Sequence, residues 1–295
     1  MAKKITGANP YFAKYLASMQ SNSFVGNLFR GIQKRISSTV SAKNKKADLT
    51  WLREKYLKHA SAGITRVYLY KGKKIFYNSP TEFLHTLKEI FVEEIYQVSL
   101  PPNAYIIDCG SNIGLSVIYL KEKFPDSEIV AFEPDNNNYA LLLKNIESLD
   151  LQNVSVRKEA VWIKEEELSF SNEGTMGSKI DTGAISATQK VKAIRLKTFL
   201  ERKVHFLKID IEGAEYKVIK DIAENLVNVD HLFLEYHGQF EQNNELTDIF
   251  TILQQSGLHY YIKEAAQIYS SPLLAPTTKK SSIYDIQLNI FCFRK

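Results

Sequence analysis

The 295-residue sequence predicts an α/β fold in which a mostly parallel sheet carries helices on both faces. Three observations predict it. From Asn103 onward, apolar strand-like runs alternate with stretches of helical periodicity. One such run, Tyr105-Ile-Ile-Asp-Cys109, passes straight into a glycine-marked turn, Gly110-Ser-Asn-Ile-Gly114, and then into a helix. Polar residues also gather where the strands end, and open parallel sheets bind their ligands beyond the carboxyl ends of their strands.

Composition bounds the answer. A chain 44% hydrophobic and 24% charged suits one large folded domain or a domain with an appendage. It contains no apolar run of about 18 residues or more, which argues against a membrane-spanning helix. Cys109 and Cys292 lie in or beside apolar runs. Two such thiols make neither a disulfide framework nor a zinc site, and they suit a reducing, cytoplasmic setting.

Residues 1–50 read as a basic amphipathic arm. Nine Lys and Arg residues precede the first acid, Asp48, so the net charge of +5 belongs to the arm and the body is mildly acidic. Tyr11, Tyr15, Leu16 and Met19, then Val25, Leu28, Phe29, Ile32 and Ile36, recur at helical spacing on either side of Ser21-Asn22-Ser23. Three readings of the arm stay open. It is a helix pair packing on the body or on a second subunit, as in a homo-oligomer. It is a surface helix held by anionic lipid at the inner membrane surface. Or it is a transit peptide, which the low arginine content argues against.

Residues 51–102 read as a lid or extension. Val67–Tyr70 and Lys74–Tyr77 flank Lys71-Gly72-Lys73 as a β-hairpin. Phe83, Leu84, Leu87, Phe91 and Ile95 give Thr81–Val98 helical periodicity, and Pro101-Pro102 stops it. Residues 103–295 form the main domain. Its strands are expected at Ala104–Cys109, Glu128–Phe132, Val154–Lys158, Val204–Ile209 and His231–Tyr236, with two more near Tyr260 and at Gln287–Arg294. Helices are expected at Asn112–Phe124, Asn136–Leu149, Ala214–Asn225 and Leu246–Gln255. Glu167–Arg195, with Gly174, Gly177, Ser178 and Gly183, breaks the rhythm as a hairpin or loop excursion over the sheet edge.

The strand ends carry the candidate chemistry. Gly110 and Gly114 allow a tight turn and close approach of a ligand, with Ser111 and Asn112 between them. Asp108 places a carboxylate where a phosphate would not want one but an amino-acid ammonium would. The turn therefore suits a nucleoside ligand carrying a cation, a description that S-adenosylmethionine fits. Phe132-Glu133-Pro134 ends the next strand, and Glu133, 25 residues after Asp108, can accept hydrogen bonds from both ribose hydroxyls. Asp135 reads as the N-cap of the following helix. The third strand ends near Glu159-Ala160-Val161-Trp162, where Glu159 is placed to read an adenine edge and Ala160 leaves room for the ring; Trp162 reads as core.

The fourth strand runs Leu207-Lys208-Ile209-Asp210-Ile211-Glu212-Gly213. A lysine in an apolar central strand is costly without a carboxylate partner. The fifth ends in Glu235-Tyr236-His237-Gly238. Asp210, Glu212, Glu235 and His237 thus share one rim. Two chemical uses of the rim compete: a carboxylate or His237 accepts an alcohol's proton as general base, or Asp210 with Glu235 or His237 holds a divalent cation. The base reading is favoured over the metal.

Asp108-Cys-Gly-Ser-Asn-Ile-Gly114, Phe132-Glu-Pro134, Lys208-Ile-Asp-Ile-Glu-Gly-Ala-Glu215 and the closing Leu288-Asn-Ile-Phe-Cys-Phe293 together resemble FkbM-type S-adenosylmethionine-dependent methyltransferases over residues 103–294. The resemblance implies the class-I methyltransferase (Rossmann-like) fold: a seven-stranded sheet whose last strand is antiparallel. It also implies O-methylation of a hydroxyl on a glycan, a glycan precursor or a similar small molecule. Asp108, Gly110 and Gly114 carry over as the cofactor turn, Glu133 as the ribose acid, and Asp210 and Glu212 as the rim of the reaction site. Two other readings remain. A nicotinamide-dependent oxidoreductase is opposed by Asp108, which stands where that fingerprint has glycine. A non-catalytic membrane-docking protein is opposed by the intact rim. A nucleic-acid partner is not expected, because the basic charge is confined to the arm.

Overall fold

The computed structural model describes residues 46–171, 188–274 and 282–295. The basic arm therefore lies almost wholly outside the described residues, as does the tip of the Glu167–Arg195 excursion. The chain divides into two compact units. The smaller contains residues 46–61 and Pro80–Glu93; the larger comprises Ala62–Ser79 and Glu94–Lys295.

In the smaller unit, Thr50 caps helix α1 (Trp51–His59) by accepting a hydrogen bond from the Arg53 N–H at 3.3 Å. Helix α2 (Pro80–Leu87) runs into a π-helical turn, Lys88–Val92. Glu54 on α1 accepts from Lys58 at 2.8 Å and from Lys88 at 2.6 Å, and these two ammonium groups lower its pKa. The expected helix Thr81–Val98 is thus shorter. Its apolar spacing continues through Ile90 and Phe91 only by widening to a π turn, and Glu94 then takes a left-handed φ of 54°.

The larger unit is built on a seven-stranded sheet. Strands β1 (Arg66–Tyr70) and β2 (Lys73–Tyr77) form the expected antiparallel hairpin ahead of it. The sheet strands are β3 (Tyr105–Cys109), β4 (Glu128–Phe132), β5 (Val154–Arg157), β9 (Val204–Ile209), β10 (Val229–Gly238), β11 (His259–Glu264) and β12 (Ile286–Phe293). Their order is β11-β12-β10-β9-β3-β4-β5. Strands β5, β4, β3, β9 and β10 pair in parallel, and β12 is antiparallel to both β10 and β11.

Parallel strands at the centre must be apolar on both faces, and every residue of β3 is buried. The connecting helices are α3 (Leu115–Lys123), α4 (Asn136–Leu149), α5 (Glu215–Asp221) and α6 (Asn243–Gln255). Asp135 caps α4 as expected, accepting from the Asn137 and Asn138 N–H groups at 2.8 and 2.9 Å. Helix α3 starts at Leu115, later than expected, because Asn112 (φ 48°) and Gly114 (φ 90°) are left-handed. Burial pushes the thiols of Cys109 and Cys292 up, the latter to about 12, as suits inert core residues.

One strand departs from expectation. The third sheet strand ends at Arg157, and Ala160–Trp162 forms a separate strand, β6. It belongs to a small sheet with β7 (Glu166–Ser171) and β8 (Thr188–Arg195), in the order β6-β8-β7. The excursion is therefore a hairpin, β7 antiparallel to β8. Trp162 is buried within the main apolar core.

Candidate active site

The turn after β3 is closed by its own backbone. Gly110 and Ser111 donate N–H bonds to Phe132 O at 3.0 and 2.9 Å, Gly114 N–H bonds to Ser111 O, and Ile113 N–H bonds to the Asn112 side chain at 2.7 Å. The Asn112 N–H is taken by Glu133 Oε2 at 2.7 Å, and Glu133 Oε1 accepts from Asp135 N–H at 2.9 Å. Every N–H from Gly110 to Gly114 is thus committed within the protein. A loop of this kind has no spare donors for a phosphate. Glu133 is buried at the mouth of the turn, and burial pushes its pKa up to about 7 against the pull of its two backbone donors. Pro134 follows it, half-buried, at the strand exit.

Asp108 and Ser111 are buried inside the turn. The Ser116 hydroxyl donates to Asp108 Oδ2 at 2.5 Å, and Asp108 Oδ1 lies 3.4 Å from Lys208 Nζ. Lys208, on β9, also meets Asp210 Oδ2 at 3.2 Å and donates to Gly110 O at 2.8 Å. The carboxylate partner expected for this lysine is present twice over. Burial alone would discharge the ammonium, but Asp210 and Asp108 hold its pKa well above the usual lysine value. Asp108 itself has no exposed surface, its carboxylate lying between the Ser116 hydroxyl and the Lys208 ammonium.

Beyond β9 the backbone turns sharply, with Glu212 at φ 57° and Gly213 at φ 94°. Glu215, wholly buried at the start of α5, holds this bend. Its Oε1 accepts from Ile211 N–H at 3.0 Å, and both of its oxygens accept from Gly213 N–H, at 3.1 and 3.0 Å. The same Oε1 lies 3.2 Å from His237 Nδ1 on β10. His237 Nε2 faces Glu235 at 3.6 Å and Glu212 at 3.8 Å. Burial opposes protonation of His237, yet Glu215, Asp210 and Glu212 push its pKa up to about 10. Burial likewise raises Glu212, against the charge of His237.

The four rim residues expected from sequence do come together. Among the described residues, the trio offering ligand atoms within 4.8 Å of one another is Asp210, Glu212 and His237, so Glu212 stands where Glu235 was placed in the metal set. A cation there would have to displace the His237 proton, since histidine binds metals as the neutral imidazole. Glu159 is engaged elsewhere: Arg157 and Lys192 bond its two oxygens at 2.6 and 2.8 Å. Ala160 lies buried on β6, outside the seven-stranded sheet.

Sequence reasoning missed four residues. Ser116 lies two residues past the glycine turn, and Glu215 closes the Lys208–Glu215 motif but was given no role of its own. Tyr96 lies in the region expected to be lid, packing edge-on against Phe233 at 4.9 Å; burial pushes its pKa up beside Lys208 and Asp210. Tyr284 has its ring 4.8 Å from His237, and burial and the neighbouring Glu212 raise its pKa. For Ser116 and Glu215 the motif spacing was an available signal. Tyr96 and Tyr284 are brought in only by tertiary structure.

The sheet order, with β12 alone reversed and glycine turn and acidic rim at one end, is that of the class-I methyltransferase fold. The model of the Methyltransferase FkbM domain matches residues 108–260, just over half of the sequence, and the chain belongs to this family. Among curated relatives, Methyltransferase 1 of Beauveria bassiana is 28% identical over 180 residues, covering 50% of this chain and 72% of the relative. Methyltransferase sdnD of Sordaria araneosa is 29% identical over 176 residues, covering 46% and 68%. The crystal structure of Methyltransferase FkbM from Methylobacillus flagellatus KT aligns with a TM-score of 0.45 at 14% identity, over 66% of this chain and 45% of that one.

Gly110 tests the union of turn and rim. A Cβ at this position, φ +82°, would sit 1.9 Å from Asp210 O, whereas one at Gly72, φ +80°, meets nothing within 4 Å. Both Gly→Ala changes carry a left-handed backbone cost of about 1–2 kcal/mol. Gly110→Ala is expected to lose at least about 2 kcal/mol more than Gly72→Ala in urea unfolding; equal losses would contradict the packing described.

Proposed function

We propose that the chain is an S-adenosylmethionine-dependent O-methyltransferase acting on a hydroxyl of a glycan, a glycan precursor or a similar small molecule. One observation carries the reading: the glycine turn and the acidic rim are a single bonded unit. Asp210 N–H donates to Cys109 O at 3.2 Å, and Lys208 donates to Gly110 O. A donor seated on the turn therefore has its reactive end beside Asp210, Glu212, Glu235 and His237.

The residues present fit that cofactor. The turn spends its own N–H groups, which suits a nucleoside better than a pyrophosphate. Asp108 and Asp210 share one ammonium, Lys208, which leaves a net negative charge facing a cationic ligand. Glu133, buried where the turn meets β4, is the ribose partner. When bound, S-adenosylmethionine supplies an electrophilic methyl carbon on a sulfonium that needs no acid to leave.

The protein's share is alignment and proton removal. Glu212 has the most exposed carboxylate of the rim, its side chain 49% accessible, and it is raised toward neutrality. It is placed to accept the acceptor's hydroxyl proton. His237 stands behind it as a fixed cation.

Two measurements follow. The free protein holds Glu133 protonated below about pH 7, and ribose hydroxyls bind the ionised form. S-adenosylhomocysteine affinity should therefore weaken about tenfold from pH 8 to pH 6, and Glu133→Gln should flatten that dependence. A flat wild-type profile would count against Glu133 as the ribose acid. Second, incubation with labelled methyl donor and fractionated glycans should place the label on oxygen, with Glu212→Gln lowering kcat about a hundredfold. Label found only on nitrogen or carbon would overturn the O-methyltransferase reading.

A further inference from the structure

We infer that Glu215 is a positioning residue of this site: one buried carboxylate seats His237 with Nε2 toward the rim and fixes the bend that presents Glu212. The inference rests on the methyl-transfer reading for its kinetic consequence, but its geometry stands apart from it. Glu215 has no exposed surface and binds two separate pieces of the rim at once. Through the N–H groups of Ile211 and Gly213 it brackets Glu212, whose left-handed backbone has no glycine to ease it. Through Oε1 it faces His237 Nδ1, which leaves Nε2 as the imidazole nitrogen presented to Glu212 and Glu235.

A purely structural acid would satisfy the two backbone donors and no more. The contact with His237 adds an electrostatic role. The groups facing His237 are Glu215 from the start of α5, Asp210 and Glu212 from the end of β9, Glu235 from β10 itself, and the Tyr284 ring from the segment before β12. Among them Glu215 makes the hydrogen bond and is wholly buried, so its charge is the least screened by water. With Glu215 in place His237 stays an imidazolium at neutral pH. That cation favours the ionised form of Glu212, the form able to accept a proton.

A histidine whose folded pKa is raised above the unfolded value adds stability below about pH 6.5, and this stability is lost as the pH climbs toward 10. Neutralising Glu215 lets burial pull His237 down into the neutral range. Glu212 then loses its cationic neighbour, its pKa rises, and the acid limb of kcat/KM moves to higher pH by roughly one unit.

Histidine-selective NMR on the wild-type chain from about pH 6 to 9 is the first test. The inference expects His237 to stay doubly protonated throughout; titration near its ordinary value overturns it, whatever the chain's activity. The second is Glu215→Gln, which keeps acceptor oxygen for the backbone but removes the charge. His237 should now titrate in this range, and the acid limb of kcat/KM should shift upward, with Glu215→Asp restoring part of the wild-type profile. Uniform loss at every pH with an unshifted limb would make Glu215 structural only and overturn the inference. Should Glu215→Gln not fold, the wild-type titration decides alone. Absence of methyl transfer with a non-titrating His237 would count against the proposed function and leave the positioning role standing.

Discussion

The ammonium of Lys208 is the interaction on which the rest of this site depends. It sits in the centre of the sheet between β3 and β9, where chain connectivity reverses direction and a crevice must open. Its neighbours are two carboxylates, Asp108 and Asp210, and the carbonyl of Gly110. A lone lysine at such depth would be discharged or would unfold the strand. Held by two acids, it becomes the pin joining the glycine turn to the rim. The Gly110 position has no room for a side chain for the same reason: the turn lies directly against the Asp210 carbonyl.

A second buried charge pair repeats the logic one strand further on. His237 and Glu215 sit behind the rim as Lys208 and Asp108 sit behind the turn. In both pairs a basic side chain on a strand faces a wholly buried acid. The remaining acids, Asp210, Glu212 and Glu235, are the ones that keep access to solvent. The protein thus spends buried charge on fixing geometry and leaves its partly exposed carboxylates for chemistry. Membership of the FkbM methyltransferase domain family gives this arrangement its reaction class, methyl transfer.

Much of this was legible in the sequence, for local reasons. The strand Glu128–Phe132, the helix Asn136–Leu149 and the strand Val204–Ile209 lie where periodicity placed them, because each is bounded by a capping, glycine or charged residue. Asp108, Gly110, Glu133, Asp210 and His237 could be gathered because strand ends in a parallel sheet share one edge. The departures have non-local causes. Ala160–Trp162 leaves the main sheet because β8 offers it a partner distant in sequence, and periodicity over three residues cannot choose between sheets. Glu159 is claimed by Lys192, which lies on that same strand β8. Asp108 reads from sequence as a ligand contact, but its burial depends on Ser116 and Lys208 arriving from other elements. Tyr96 and Tyr284 carry no local signal, since an aromatic residue beside a strand or loop is ordinarily core.

Lys208 couples the glycine turn to the acidic rim, and Lys208→Met tests this coupling most directly. Methionine keeps the length and apolar stem of the side chain and removes only the charge and its donors. Calorimetric titration with S-adenosylhomocysteine is predicted to show affinity at least tenfold weaker in this variant, because Gly110 O loses the hydrogen bond donated by Lys208 and Asp108 loses its counter-charge. Wild-type affinity in a folded Lys208→Met protein would contradict the account.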